Sequence, residues 1–312
     1  MILLKIKEKV LSTDGKTSLN HVIWLPSTEK PKAILQLVHG MAEYIERYDA
    51  FARYLNENDI LVVGHDHLGH GYSVDEETPL YGYFSKDNSP EILIEDVHSI
   101  TLKTQTTYPD LPYFIMGHSM GSFVVRNYLK KYAALVDGAI IMGTGGRRPE
   151  LKAALAVTAL LNKKQPTVVN KKIDTLAFGN FYKAFPEKRT PMDWLSKNKQ
   201  NVDDYLEDPL LGFTFTNNGF DTLFQLTAAA NEKGWYNTIN HTLPFLFISG
   251  EQDPVGNFGK GVIQVTEEMV ADGFDAITLQ LYPDLRHELL NEKENDLIQF
   301  DILNWINHQL TK

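Results

Sequence analysis

Five residues, GHSMG at positions 117–121, constrain the fold of this 312-residue chain more than any other feature. An apolar run, YFIM at 113–116, precedes them, and a helix-spaced apolar run over 122–132 follows. A G-x-S-x-G pentapeptide in that setting reads as strand, sharp turn and helix. A serine hydroxyl attacks a carbonyl only when it is lifted clear of the packing, on a tight turn with strained backbone angles. Glycines at 117 and 121 leave room there for the neighbouring strand and helix. The helix beginning after Ser119 turns its free amides and positive dipole end toward the reacting centre.

The rest of the chain supplies a scaffold for such a turn. Apolar runs of strand length stand at 33–38, 60–64, 113–116, 136–142, 244–250 and 276–282. Helical spacing fills 46–58, 90–107, 122–132, 261–271 and 297–310. This alternation predicts an α/β fold with mostly parallel strands joined by crossover helices and buried on both faces. The rhythm breaks between 147 and 240, where only helical segments are found, at 151–161, 193–206 and 220–232. The expected organisation is therefore a core of residues 1–146 and 241–312 with a helical insertion at 147–240.

The other parts of a serine-hydrolase site have matching positions. A tetrahedral intermediate needs two donors aimed at its oxyanion. Met120, the residue after the nucleophile, supplies one backbone N–H. The loop HGMAE at 39–43 follows an earlier strand, and Gly40 permits a turn that points the Met41 amide inward. Asp253 lies just past the strand at 244–250, on the same rim of the sheet as Ser119, and His287 follows the last strand. The chain order Ser119, Asp253, His287 is the one this kind of site uses, with His287 as base and Asp253 holding its tautomer. Glu251 competes as the acid, Asp284 reads as a turn residue, and His118 reads as a packing residue. A rival constellation, His65, His67 and His70 in GHDHLGHG, has the spacing of a zinc site. It lacks the acidic residue expected before the last histidine, so a hydrogen-bonded structural loop is the favoured reading and no metal is expected.

Composition narrows the partners. A formal charge of −10 with scattered basic residues argues against nucleic acid and against docking on anionic membranes. The absence of cysteine excludes disulfides and a thiol nucleophile. Lys5, Lys7, Glu8 and Lys9 interrupt the first ten residues, so no signal peptide is visible, and no apolar run has the length of a membrane span. A cytoplasmic protein without stable membrane insertion is expected, its oligomeric state open.

Five stretches, HGMAEYIERY (39–48), GHDHLGHGYS (64–73), GHSMG (117–121), SGEQDPVG (249–256) and RHELLNE (286–292), resemble the monoacylglycerol lipase and lysophospholipase branch of the α/β hydrolases, which is grouped with proline iminopeptidase-like serine hydrolases. The resemblance implies an eight-stranded core with a lid between the sixth and seventh strands. It implies Ser119, Asp253 and His287 as the triad, Met41 and Met120 as the oxyanion hole, and no cofactor. The implied reaction is hydrolysis of monoacylglycerols, lysophospholipids or similar small acyl esters through an acyl-enzyme. A peptidase or a thioesterase using the same triad is the alternative. Relatives often carry a second glycine after the elbow, where this chain has Ser122. In the insertion, the apolar helix at 151–161 and Phe178, Phe181, Tyr182, Phe185, Phe213, Phe215 and Phe220 offer walls for an acyl pocket.

Overall fold

The computed structural model describes residues 4–28 and 30–312. Two strands, β1 (Leu4–Leu11) and β2 (Ser18–Leu25), open the chain as a hairpin, followed by β3 (Ala33–Val38), α1 (Asp49–Asn56), β4 (Ile60–His65) and α2 (Ser89–Thr107). Next come β5 (Tyr113–His118), α3 (Met120–Tyr132) and β6 (Gly138–Met142). Four helices then intervene: α4 (Leu151–Lys164), α5 (Lys171–Phe178), α6 (Lys199–Glu207) and α7 (Asn217–Ala230). The chain closes with β7 (Phe245–Gly250), α8 (Lys260–Ala271), β8 (Ile277–Tyr282) and α9 (Asn295–Leu310).

The eight strands form one sheet in the order β1-β2-β4-β3-β5-β6-β7-β8, antiparallel at β1–β2 and β2–β4 and parallel from there on. Each central strand is buried on both faces, and its residues divide by the period of two that a pleat imposes. Ile34, Leu61, Ile115, Ile141 and Phe247 enter one core with α2, α3, α7 and α8. Leu35, Val62, Met116, Ile140 and Ile248 enter the other with α1 and α9. Burying one such side chain contributes about 1.5–3 kcal/mol. The winding reverses at β3, which lies between β4 and β5. Ligands of open α/β sheets bind outside the strand carboxyl ends at such a switch point.

The mostly parallel α/β sheet matches the sequence expectation, with differences that have physical causes. The β1–β2 hairpin was not read from the pattern. It is closed by an Asp14 carboxylate that accepts from the Lys16 and Thr17 amides at 2.8 and 2.7 Å, with Gly15 at φ +77°. β1 is an edge strand with lysines at 5, 7 and 9, a composition that blunts edge-to-edge pairing and hides the strand signal. The helix expected over 193–206 begins only at Lys199. Before it, Asp193 draws in the Thr190 amide and hydroxyl, and the buried Glu292 carboxylate takes the Lys197 and Asn198 amides, so the backbone turns instead. α5 has no counterpart among the expected segments. In the 147–240 segment α7 is the deeply buried element, whereas α4 buries only Thr158.

Candidate active site

Ser119 sits between β5 and α3 at φ 52° and ψ −120°, a left-handed backbone angle that a serine holds only when its surroundings impose it. Its amide donates to Met142 O at 3.0 Å, and its carbonyl accepts from the Ser122 amide at 2.9 Å and hydroxyl at 2.6 Å. Glycine is required on either side for space: a Cβ on Gly117 would lie 2.3 Å from Gly121 O, and one on Gly121 would lie 2.1 Å from Val38 O. Ser122 is thus occupied in tying the elbow. Parallel pairing of Val38 with Gly117 sets the 39–43 loop beside the elbow, where a Gly40 Cβ would stand 3.0 Å from Ser119 Cβ.

That loop presents three successive amides. Gly40 N–H donates to Glu43 Oε1 at 2.5 Å, and Ala42 N–H donates to His70 Nε2 at 3.2 Å. Between them the Met41 amide has no protein acceptor among the described residues, and neither has the Met120 amide at the first position of α3. Both residues line the same cavity as Ser119.

His287 and Asp253 come from the loops after β8 and β7 and meet with His287 Nδ1 2.9 Å from Asp253 Oδ2. Both are buried. The other carboxylate oxygen of Asp253 accepts from the Val255 amide at 2.8 Å, which fixes the carboxylate plane. Glu251 is exposed, and Asp284 is exposed at φ +59° with a contact to Gln252. Among the described residues no hydrogen bond joins Ser119 to His287, although both line one cavity. Such bonds are often long without substrate and tighten in the reacting complex.

At one end of the cavity lies an ionic network that sequence reading missed. His118 turns Nδ1 to Glu43 Oε1 at 3.1 Å and Nε2 to the carbonyl of His287 at 3.2 Å, so both ring nitrogens face acceptors. Burial opposes the charged imidazole, but the hydrogen bond and charge of Glu43 prevail and raise its pKa. Burial would likewise raise Glu43, yet His118 and Arg47 hold it well below the usual carboxylate range. Arg47 bridges Glu43 Oε2 at 3.0 Å and both oxygens of Glu288 at 2.8 Å, and Asn201 of α6 bonds both Arg47 and Glu288. The spacing of Glu43 and Arg47, four apart in HGMAEYIERY, is the one local hint of this pairing.

The rival histidines pack against the 39–43 loop. His70 donates from Nδ1 to Leu68 O and accepts at Nε2 from Ala42, a neutral tautomer, and burial pushes it down to about 3. The ring nitrogens of His65 and His67 have no protein partner among the described residues, and burial depresses both, His65 to about 3. Their rings meet edge-on at 5.2 Å. No group of three or more His, Asp or Glu able to hold a metal ion occurs among the described residues.

The cavity holding Ser119 and His287 has a volume of about 910 Å³, within the range of small-molecule sites. Its walls are chiefly apolar, from Ala154, Val157, Ile173, Phe178, Phe213 and Leu223, with a polar end at Glu43, Tyr205 and Glu288. Trp194 stands 5.2 Å from the His287 ring, centroid to centroid. Phe215, Phe220 and Phe185, named as wall candidates, are buried in packing and do not line it.

Residues 29–294 match the family model described as serine aminopeptidase, S33. The chain is 30% identical to human monoglyceride lipase, covering 86% of this chain and 79% of the relative. It is 28% identical to the monoacylglycerol lipase of Mycolicibacterium smegmatis, covering 94% of both. Among solved structures, a highly thermostable carboxyl esterase from Bacillus coagulans in complex with glycerol superposes with a TM-score of 0.92 at 30% identity, over 98% of this chain and 99% of that one.

Proposed function

Since the chain belongs to the serine aminopeptidase S33 family within the α/β hydrolases, we propose that it hydrolyses monoacylglycerols, or closely related small acyl esters, through an acyl-enzyme on Ser119. It is a serine hydrolase of the carboxylesterase and lipase type. In the proposed reaction His287 takes the Ser119 proton as Oγ attacks the ester carbonyl. The Met41 and Met120 amides receive the developing oxyanion, and Asp253 stabilises the imidazolium. His287 then protonates the departing alcohol, and water repeats the cycle on the acyl-enzyme. The observation that carries this reading is the 2.9 Å Asp253–His287 pair opening into the cavity of a serine at positive φ. Support for the substrate class comes from the apolar cavity walls and from relatives named monoacylglycerol lipases. A cap formed by residues 147–240 and a cytoplasmic location belong to the same proposal. No helix among the described residues is long and apolar enough to cross a membrane.

Hydrolysis of p-nitrophenyl acyl esters tests the reading: Ser119→Ala is expected to abolish turnover while circular dichroism stays unchanged, and full activity in that variant contradicts it. A peptidase needs a carboxylate for the substrate ammonium. Glu43 and Glu288 are both committed to Arg47. Asp174 on α5, whose carboxyl burial pushes up, lines the cavity with no ion-pair partner among the described residues. Cleavage of aminoacyl arylamides that Asp174→Asn removes is the result that favours the peptidase.

A further inference from the structure

The polar end of the reaction cavity is built from Glu43, Tyr205 and Glu288, and the side chain of each is already bonded within the protein. Tyr205 donates its hydroxyl to Ala42 O at 3.3 Å, a carbonyl that also takes the Gly212 amide at 3.0 Å. Glu288 receives Arg47 on both oxygens and the side-chain amides of Asn201 and Asn291 on Oε2. These partners belong to two short segments, the 39–43 loop that carries Met41 and the turn that carries His287. The polar end therefore touches the reaction machinery through its backbone.

One atom, Glu43 Oε1, is where these connections meet. It accepts from the Gly40 amide at 2.5 Å and the Tyr48 hydroxyl at 3.0 Å, and stands 3.1 Å from His118 Nδ1. The Gly40 amide belongs to the peptide directly before the one that carries the Met41 N–H. The approach is close enough to require glycine, since a Cβ on Gly40 would lie 2.7 Å from Oε1. On its far side the His118 ring places Nε2 3.2 Å from the carbonyl oxygen of His287, with the two rings 4.8 Å apart. Glu43 Oε2 bonds Arg47, which grips Glu288, the residue after His287. One carboxylate thus reaches the oxyanion loop directly and the backbone of the base by two routes. Bonds to an ionised acceptor are about twice as strong as neutral ones, and here they fix backbone.

We propose that Glu43 is a positioning residue for the reaction on Ser119: it holds the oxyanion loop and, through His118, the His287 turn in one register, so that the Met41 amide and the His287 imidazole face the same substrate carbonyl. The proposal rests on the ester-hydrolase reading of Ser119. Glu43 acts through Gly40 and His118 and touches no reacting atom. Its effect is large because an oxyanion donor works only within a few tenths of an ångström of its place, and a misplacement of about 1 Å can cost about 10²-fold in rate. A positioning role of this kind is felt after Oγ has attacked, when the oxyanion exists, and not while the ester merely rests in the cavity.

The test measures kcat and KM for a p-nitrophenyl ester and a 1-acylglycerol of the same chain, with two inhibitors of that chain. An acyl trifluoromethyl ketone is attacked by Ser119 Oγ and leaves a hemiketal oxyanion in the hole; the matching trifluoromethyl carbinol cannot be attacked and reports the resting cavity. Glu43→Gln keeps an oxygen near Gly40 but loses the charge. It is expected to lower kcat for both esters by about 10- to 100-fold with KM within about twofold. Ketone inhibition should weaken by a similar factor while carbinol affinity stays unchanged. His118→Asn, whose amide nitrogen stands near the Nδ1 position, keeps the bond to Glu43 and cuts the one to His287. It is expected to lower kcat by about tenfold, and it carries the test if Glu43→Gln fails to fold. Unchanged kcat in either folded variant overturns the proposal. A loss confined to the 1-acylglycerol makes Glu43 a head-group contact, and carbinol affinity falling in step with kcat makes it a general support of the cavity; either result also overturns it. If wild type turns over neither ester, the failure lies with the ester-hydrolase reading itself.

Discussion

Two helices at the carboxyl edge of the sheet, α3 and α4, make opposite use of apolar residues. α3 buries ten of its thirteen residues, from Met120 to Leu129, and thereby clamps Ser119 in its left-handed conformation. α4 is at least as apolar in sequence, yet of its fourteen residues Thr158 alone is buried. Val157 and Leu160 stand more than half exposed, and on α5 Leu176 is 82% exposed. The contrast separates two tasks. The sheet and α3 bury their apolar side chains around the Ser119 turn, while α4 and α5 leave theirs exposed or lining the cavity. Between the two runs a polar seam: Glu43, Arg47 and Glu288 on the core side, Asn201 on α6, and Glu292 holding the turn before α6.

The sharpest way to break this division is to alter each side and ask what is lost. On the core edge, Asp253→Asn leaves the shape intact but removes the charge that stabilises the imidazolium. The account expects kcat to fall by about 10⁴-fold with unchanged circular dichroism. Glu251→Gln, on the exposed side of the same loop, should leave kcat alone; the reverse pattern transfers the acid role to Glu251. At the seam, Arg47→Met strands two buried carboxylates. A loss of about 3–5 kcal/mol in denaturant unfolding is expected, because removing one partner leaves uncompensated buried charge. In the core, Phe247→Ala on β7 should cost about 3–5 kcal/mol, whereas Leu176→Ser on α5 should stay within about 0.5 kcal/mol and instead alter KM for long acyl chains. Equal costs for these two would erase the distinction between the regions.

The seam also carries a pH signature. His118 is raised by Glu43, so its contribution is full below the ordinary histidine value of 6.5 and fades as pH rises through the raised pKa. Glu43 is depressed, so its contribution is full above 4.5 and fades as pH falls through the lowered pKa. The stability gap between wild type and His118→Gln should therefore be widest between about pH 4.5 and 6.5 and narrow on the alkaline side. A gap that is flat with pH, followed by thermal melting, contradicts a charged His118.

Much of the core was legible because its signals are local. The apolar runs at 33–38, 60–64, 113–116 and 244–250 are strands buried on both faces, and such strands carry uninterrupted apolar sequence. The elbow was readable because Gly117 and Gly121 answer steric demands within five residues. What could not be read depends on distant partners. β1 is written in charges because it is an edge, and it becomes a strand only through pairing with β2. The start of α6 is decided by Glu292, nearly a hundred residues later in the chain. The Arg47–Glu288 pair spans 241 positions, and nothing in either segment alone announces it. His118, read as a packing residue, bonds the Glu43 carboxylate and the His287 carbonyl through its two ring nitrogens, for the same reason.

The account stands on three side chains, brought from the ends of β5, β7 and β8, acting as one proton-transfer unit. Covalent labelling of the intact protein with a fluorophosphonate, mapped by peptide mass spectrometry, probes that unit directly. The predicted result is a single adduct on Ser119 that forms rapidly in wild type and is suppressed in a folded His287→Ala variant. An adduct on another residue, or undiminished labelling of Ser119 without the imidazole, contradicts it.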